Sequence, residues 1–350
     1  MILPQTYSYV LALMILSVIC LGSWASTFKM AGKWRFELFY FDFAIGLMIV
    51  ALIYAFTFGN LGFDGFTFLD DLQHAGKRQW MFSFLAGLIF NFANMMLMAA
   101  VSVAGLSVSF PITVAIAVLV GTGINAVARP AGSPLLLLLG CLLLLTCVMV
   151  SAVSYRLKGV ADHEALARQG RAKSTRRPSS IKGVALAVVA GVLMGSFTPF
   201  LDKARAGELG MGPYAIVTMF GLGVLFTTPI FNIFFMNLPV EGDPIDLSLF
   251  FTAKPKQHIY GLIGGAIWCT GMLAAMVAGS APETAQGNPV LHFLLGQSWP
   301  LIAALWGVLV FGEARGGDSR IKIMTALMMV LFLCGLAIIA IAPIYMVGKS

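Results

Sequence analysis

The chain has 350 residues, of which 59% are hydrophobic and only 11% charged, with a formal net charge of +7. Water-soluble domains carry about 25% charged residues, so these few charges cannot cover a solvated surface, and a soluble fold is excluded. Long apolar runs in place of short alternating segments exclude a β-barrel and predict an all-α integral membrane protein.

In chain order, a window of about 19 residues places ten spans at 6–28, 38–58, 80–100, 105–127, 134–154, 183–203, 213–236, 258–279, 288–311 and 321–345. The first, MILPQTYSYVLALMILSVICLGSWAS, has no basic leading region and reads as a retained span instead of a signal peptide. DDLQHAGKR, Asp70 to Arg78, reads as a solvated outer loop. YRLKGVADHEALARQGRAKSTRRPSSIKG, at 155–183, holds eight Lys/Arg against Asp162 and Glu164 and reads as a solvated linker. It divides the chain into an N-terminal five-helix repeat (1–155), a basic linker (156–182) and a C-terminal five-helix repeat (183–350).

Loops after odd-numbered spans carry 16 Lys/Arg and the remaining segments 6. The positive-inside rule then predicts a multi-pass protein of the cell (inner) membrane, with the 155–183 loop cytoplasmic and both termini outside. The positive charge thus orients the chain and implies no nucleic acid. Cys20, Cys141, Cys147, Cys269 and Cys334 lie in apolar runs without a CxxC pair, and the four histidines are scattered. Neither a metal site nor a cofactor is expected.

The halves share an order of motifs. LGSWASTFKMAG at 21–32 resembles MGSFTPFLDKARAG at 194–207, and GLIFNFANMM from Gly87 matches GGAIWCTGML from Gly264. SFPITVAIAVLVGTG from Ser109 matches SWPLIAALWGVLVFG from Ser298. Five spans per copy force the second copy to enter from the opposite side, giving two inverted five-helix repeats. That architecture suits alternating access and predicts a secondary transporter.

Five plus five spans, Trp24 after Gly22-Ser23, and the Pro300 to Gly312-Glu313 pattern resemble the drug/metabolite transporter superfamily. Within it, GSWASTFK and WGVLVFGEARG resemble the glucose/ribose-porter and ureide-permease branch, over nearly the whole chain. The resemblance implies a carrier of sugars or ureides. Ureide permeases are associated with a phosphate-loop-like motif in the central loop, but residues 155–183 contain no GxxxxGK[ST], so ATP binding gains no support.

Polar groups at depth supply the candidate substrate site: Trp24, Asn91, Asn94, Trp268, His292, Gln297 and Trp299. Asn91 and Asn94 share a helical face, the repeat alignment sets Asn91 against Trp268, and Gln297 and Trp299 lie beside Pro300. Amides meet hydroxyls or ring N–H groups, and an indole face covers an apolar sugar face or a planar ring. Small-xxx-small spacing at Gly191/Gly195 and Gly261/Gly265 predicts close helix packing. No carboxylate lies at mid-span, which leaves Asp42 and His292 as candidate proton carriers. The expected function is secondary-active transport of a small neutral polar solute, a sugar first, with proton coupling and a homodimer left open. The alternatives are a ureide or nucleobase permease and a drug/metabolite exporter. A membrane-embedded enzyme lacks its clustered catalytic groups here, and duplication within one chain argues against a channel.

Overall fold

The computed structural model describes residues 1–62, 64–128, 132–168, 181–240, 242–315 and 319–345. The middle of the basic linker, 169–180, and its reading as a solvated segment lie outside these residues. Among the described residues there is no strand, and ten helices are long and apolar enough to cross a membrane. They are built on α1 (Tyr7–Ser23, continued by Ser26–Met30), α2 (Phe36–Phe56), α3 (Lys77–Ala104), α4 (Leu106–Ala128), α5 (Pro134–Arg168), α6 (Ile181–Arg205), α7 (Pro213–Asn237), α8 (Pro255–Ala278), α9 (Pro289–Leu305, continued by Trp306–Val310) and α10 (Ser319–Ile341). The all-α membrane class follows, with the spans where hydropathy placed them.

Two segments differ from expectation. Helix α5 continues to Arg168, so the linker begins as helix, with Lys158 paired to Asp162 one turn on. Such i,i+4 pairs support a helix after its apolar stretch has ended. DDLQHAGKR is also ordered: Phe68–His74 is helical, Phe68 is buried, and Asp71 accepts the Gly212 N–H at 2.9 and 3.1 Å. Burial pushes the Asp71 carboxyl above its ordinary range, and the Gly212 bond draws it partly back.

The chain forms two compact units, each drawing on both halves of the sequence. One comprises Met1–Met95 and Ser196–Trp299, the other Met96–Gly195 and Pro300–Ser350. In the second unit α5 packs along α10, where Gly140 faces Gly335 and Ile339. Helix α6 meets α4 at Gly191 and Gly195, which face Thr113, Ile116, Ala117 and Val120, as the small-residue spacing predicts. Gly105, at φ +83, turns the chain from α3 into α4. The Glu313 carboxylate caps that new N-terminus, accepting the N–H groups of Leu106 and Ser107 at 2.8 Å and the Ser107 hydroxyl at 2.6 Å. A carboxylate there satisfies orphan donors and meets the positive end of the helix dipole. The π-helical stretch Trp306–Val310 and Gly312, at φ +64, carry Glu313 to that position.

In the first unit α8 lies along α1 and α2, and α7 along α2. A Cβ on Gly265 would strike the Phe43 carbonyl, and one on Gly46 the Leu262 carbonyl. The α3–α7 seam repeats this: Gly87 faces the Phe220 carbonyl and Gly223 the Phe84 carbonyl. The repeated contacts pair Gly46 with Gly223 and Gly87 with Gly265. The register of the third and eighth spans is therefore one residue from the sequence alignment: Phe90, not Asn91, corresponds to Trp268. Gly87→Val or Gly265→Val is expected to abolish folded protein in the membrane, whereas Gly123→Val, with open space around it, should give wild-type yield and a single gel-filtration peak.

Candidate functional site

The interior of the first unit is aromatic. Phe43 on α2 reaches Trp24 at 4.9 Å and Trp268 on α8 at 6.3 Å between ring centroids. The other copy repeats the triad: Phe220 on α7 reaches Phe197 at 6.0 Å and Phe90 on α3 at 5.1 Å. The triads meet where Phe90 lies 4.4 Å from Trp268, and Phe220 stacks on the same indole at 5.6 Å and 11°. Such pairs add about 0.5–1.5 kcal/mol beyond burial, so the cluster holds its shape. Each ring is placed by a glycine seam, because Phe43 and Phe220 are the residues whose carbonyls the glycines approach.

The polar candidates divide by whether they have partners. Asn91 shares its Nδ2 hydrogens among the Val224 carbonyl at 3.1 Å and the hydroxyls of Thr227 and Thr228 at 2.8 and 3.1 Å. Asn94 donates to the Tyr40 hydroxyl at 2.9 Å. Both are buried, and their bonds tie α3 to α7 and to α2. On α9, His292 and Gln297 are half-buried, and neither side chain bonds to another described residue. Trp299 lies on the same helix, also half-buried. Trp24, Asn91, Asn94 and Trp268 thus share one buried region, whereas no hydrogen bond or ring contact joins His292 or Gln297 to it. The first half of α9 packs through Leu295 against the Val10, Met14 and Ala278 cluster.

Asp42 has a partner that sequence reasoning missed. His258 Nδ1 lies 2.9 and 3.1 Å from its carboxylate oxygens, with Trp34 and Phe250 edge-on to the imidazole at 6.0 and 4.7 Å. The Asp42 side chain is 6% exposed and that of His258 26%. Buried Glu37, bonded to Arg35 at 2.6 and 3.2 Å, was also missed. About 18 Å further along α2, a cavity of roughly 540 Å³ opens among Gln5, Leu13, Tyr54, Tyr214, Thr270 and Leu273. The Tyr54 and Thr270 hydroxyls bond at 3.2 Å in its wall. Among the described residues no three His, Cys, Asp or Glu side chains could hold a metal ion.

The family model described as Ureide permease matches residues 39–155 and 158–342. The chain is 21% identical to Ureide permease 1 of Arabidopsis thaliana, over 94% of this chain and 95% of that one. It is 24% identical to Probable ureide permease A3 of Vigna unguiculata, over 89% and 96% respectively. A solved crystal structure of a protein superposes with a TM-score of 0.53 at 14% identity, over 95% of this chain and 96% of its own, a likeness of fold alone.

The division of polar groups has a measurable consequence. Asn91→Ala is expected to lower stability in detergent by about 1 kcal/mol, the scale of an interhelical hydrogen bond. Gln297→Ala, which breaks no such bond, should leave the melting temperature unchanged; paired melting curves read the difference.

Proposed function

The chain belongs to the ureide permease family, and from that premise we propose that this multi-pass membrane permease carries a flat, uncharged amide solute, a ureide or a nucleobase, by alternating access. The single observation that carries the reading is the stack of Phe90, Phe220 and Trp268, whose rings lie 4.4–5.6 Å apart. Aromatic faces suit a planar ring. The comparisons lend no support to a sugar substrate, the first expectation from sequence, and the ureide alternative fits them better. Inverted repeats supply the mechanism: exchange of conformation between the copies would alternate which side the site faces.

The reading extends to orientation and coupling. The Asp42–His258 pair lies at the end of α2 and α8 that carries Arg35, Lys254 and Lys256. The Lys/Arg distribution supports a cytoplasmic position for that end, with both termini outside the cell (inner) membrane. A carboxylate paired with an imidazole can accept and release a proton, so His258, in place of His292, partners Asp42 in the coupling we assign to this pair.

Vesicles containing the protein are expected to take up labelled hydantoin, a cyclic ureide, saturably and in competition with uracil but not with glucose. Trp268→Ala should raise KM roughly 10–100-fold, the equivalent of the 1–3 kcal/mol of ring stacking. Uptake of glucose in place of hydantoin would refute the substrate class. A protonophore should stop accumulation by the wild type yet leave the slow downhill flux of Asp42→Asn unaltered. Wild-type accumulation indifferent to the protonophore would exclude coupling.

A further inference from the structure

Asn232 on α7 lies within the first unit, is 0% exposed, and has no hydrogen-bond partner among the described residues at either Nδ2 or Oδ1. Burying a carboxamide unpaired is costly, and most buried polar groups in proteins are satisfied. The neighbouring polar groups do not share this state. Thr228, one turn earlier on the same face, bonds both the Val224 carbonyl and Asn91, and Thr227 bonds the Gly223 carbonyl. Phe235, three residues later, meets Phe36 at 5.7 Å and Phe92 at 6.3 Å. The helical register therefore sets Asn232 in a layer between the Asn91–Thr228 tie and an aromatic floor. One turn along α2 from Phe36, Tyr40 accepts the Asn94 bond.

We infer that Asn232 is a second binding station for the solute, about 18 Å along α7 from the aromatic stack at Phe220, pairing its carboxamide with the amide edge of a ureide. This deepens the reading of the chain as a permease for flat amides and rests on it. A side-chain amide offers a carbonyl acceptor beside an N–H donor, and a ureide offers the complementary pair, so two hydrogen bonds can form at once. The scaffold itself does not call for this group. Counting back by the spacing that relates Gly223 to Gly46 puts Ala55, also fully buried, at the corresponding place on α2. Pro229 removes a ladder bond within α7, and back-bonded Thr227 and Thr228 bend such helices.

Asn232→Leu keeps the branched shape and heavy-atom count of the side chain and removes the orphan amide, and the smaller Asn232→Val controls for the extra bulk of leucine. At least one of the two variants is expected to melt at or above the wild-type temperature in detergent. Its KM for hydantoin should rise at least tenfold, and the thermal stabilisation that hydantoin gives the wild type should disappear. A lowered melting temperature in both Asn232→Leu and Asn232→Val would show the amide to be a structural bond and overturn the inference. Wild-type KM in either variant would overturn it too, leaving an amide that binds only water, while the ureide reading survived. A wild-type protein that neither transports nor is stabilised by hydantoin or uracil would overturn the ureide reading and the pairing assigned to Asn232 together.

Discussion

The first unit depends on backbone meeting backbone. Lipid tails are as apolar as leucine, so helices within a membrane gain little from hydrophobic burial and associate through close packing and hydrogen bonds. Gly265 under the Phe43 carbonyl and Gly87 under the Phe220 carbonyl give that closeness. The aromatic groups inherit their geometry from it, because Trp268 lies three residues beyond Gly265 and Phe90 three beyond Gly87. A methyl group at either glycine would force the helices apart and open ring contacts of 4.4–6.3 Å. The shape of the aromatic cluster is thus set by side chains that are missing.

Within that frame, polar groups have two fates. Asn91 and Asn94 are bonded in full view of their neighbours on α7 and α2, and their chemistry is used in holding helices together. Among the described residues, neither the half-buried Gln297 amide nor the fully buried Asn232 amide has a hydrogen-bond partner. A free amide is costly in proportion to its burial. The unpaired Asn232 amide is therefore the group on which the proposed solute pairing rests, while Asn91 and Asn94 already spend hydrogen bonds on neighbouring helices.

The ten spans were legible because some 20 apolar residues must cross the hydrocarbon whatever they pack against. The end of α5 was not, since hydropathy sees the apolar stretch and not the paired charges that prolong the helix to Arg168. The repeat was visible in Gly-Ser-Trp and Gly-Ser-Phe, yet its register at the third and eighth spans slipped by one. Gly264 and Gly265 are adjacent, and only packing shows which faces a carbonyl. Asn91 announced itself as a deep amide, but its partners Thr227 and Thr228 lie on a helix whose contact with α3 no local pattern reveals. Asp42 and His258 stand 216 positions apart, with no motif linking them. Glu313 was readable only as part of a family pattern; its role as the cap of α4 follows from the turn at Gly312.

Duplication gives a way to separate scaffold from function. Features that recur in both copies, such as the glycine–carbonyl seams and the Phe43 and Phe220 triads, are what two helices need to pack in this way. Features present once divide in two: the Asn91–Thr228 tie, whose counterparts are Cys269 and Ala51, still joins helices, whereas others join nothing the second copy needs. At the position of Asp42 the other copy has Met219, at that of His258 it has Trp80, and at that of Asn232 it has Ala55. An ionisable pair and an orphan amide add cost to a bundle that its own second copy shows can be built without them. The solute and coupling proton proposed above would offset that cost, and the unpaired and ionisable departures from the internal symmetry are the basis of that proposal.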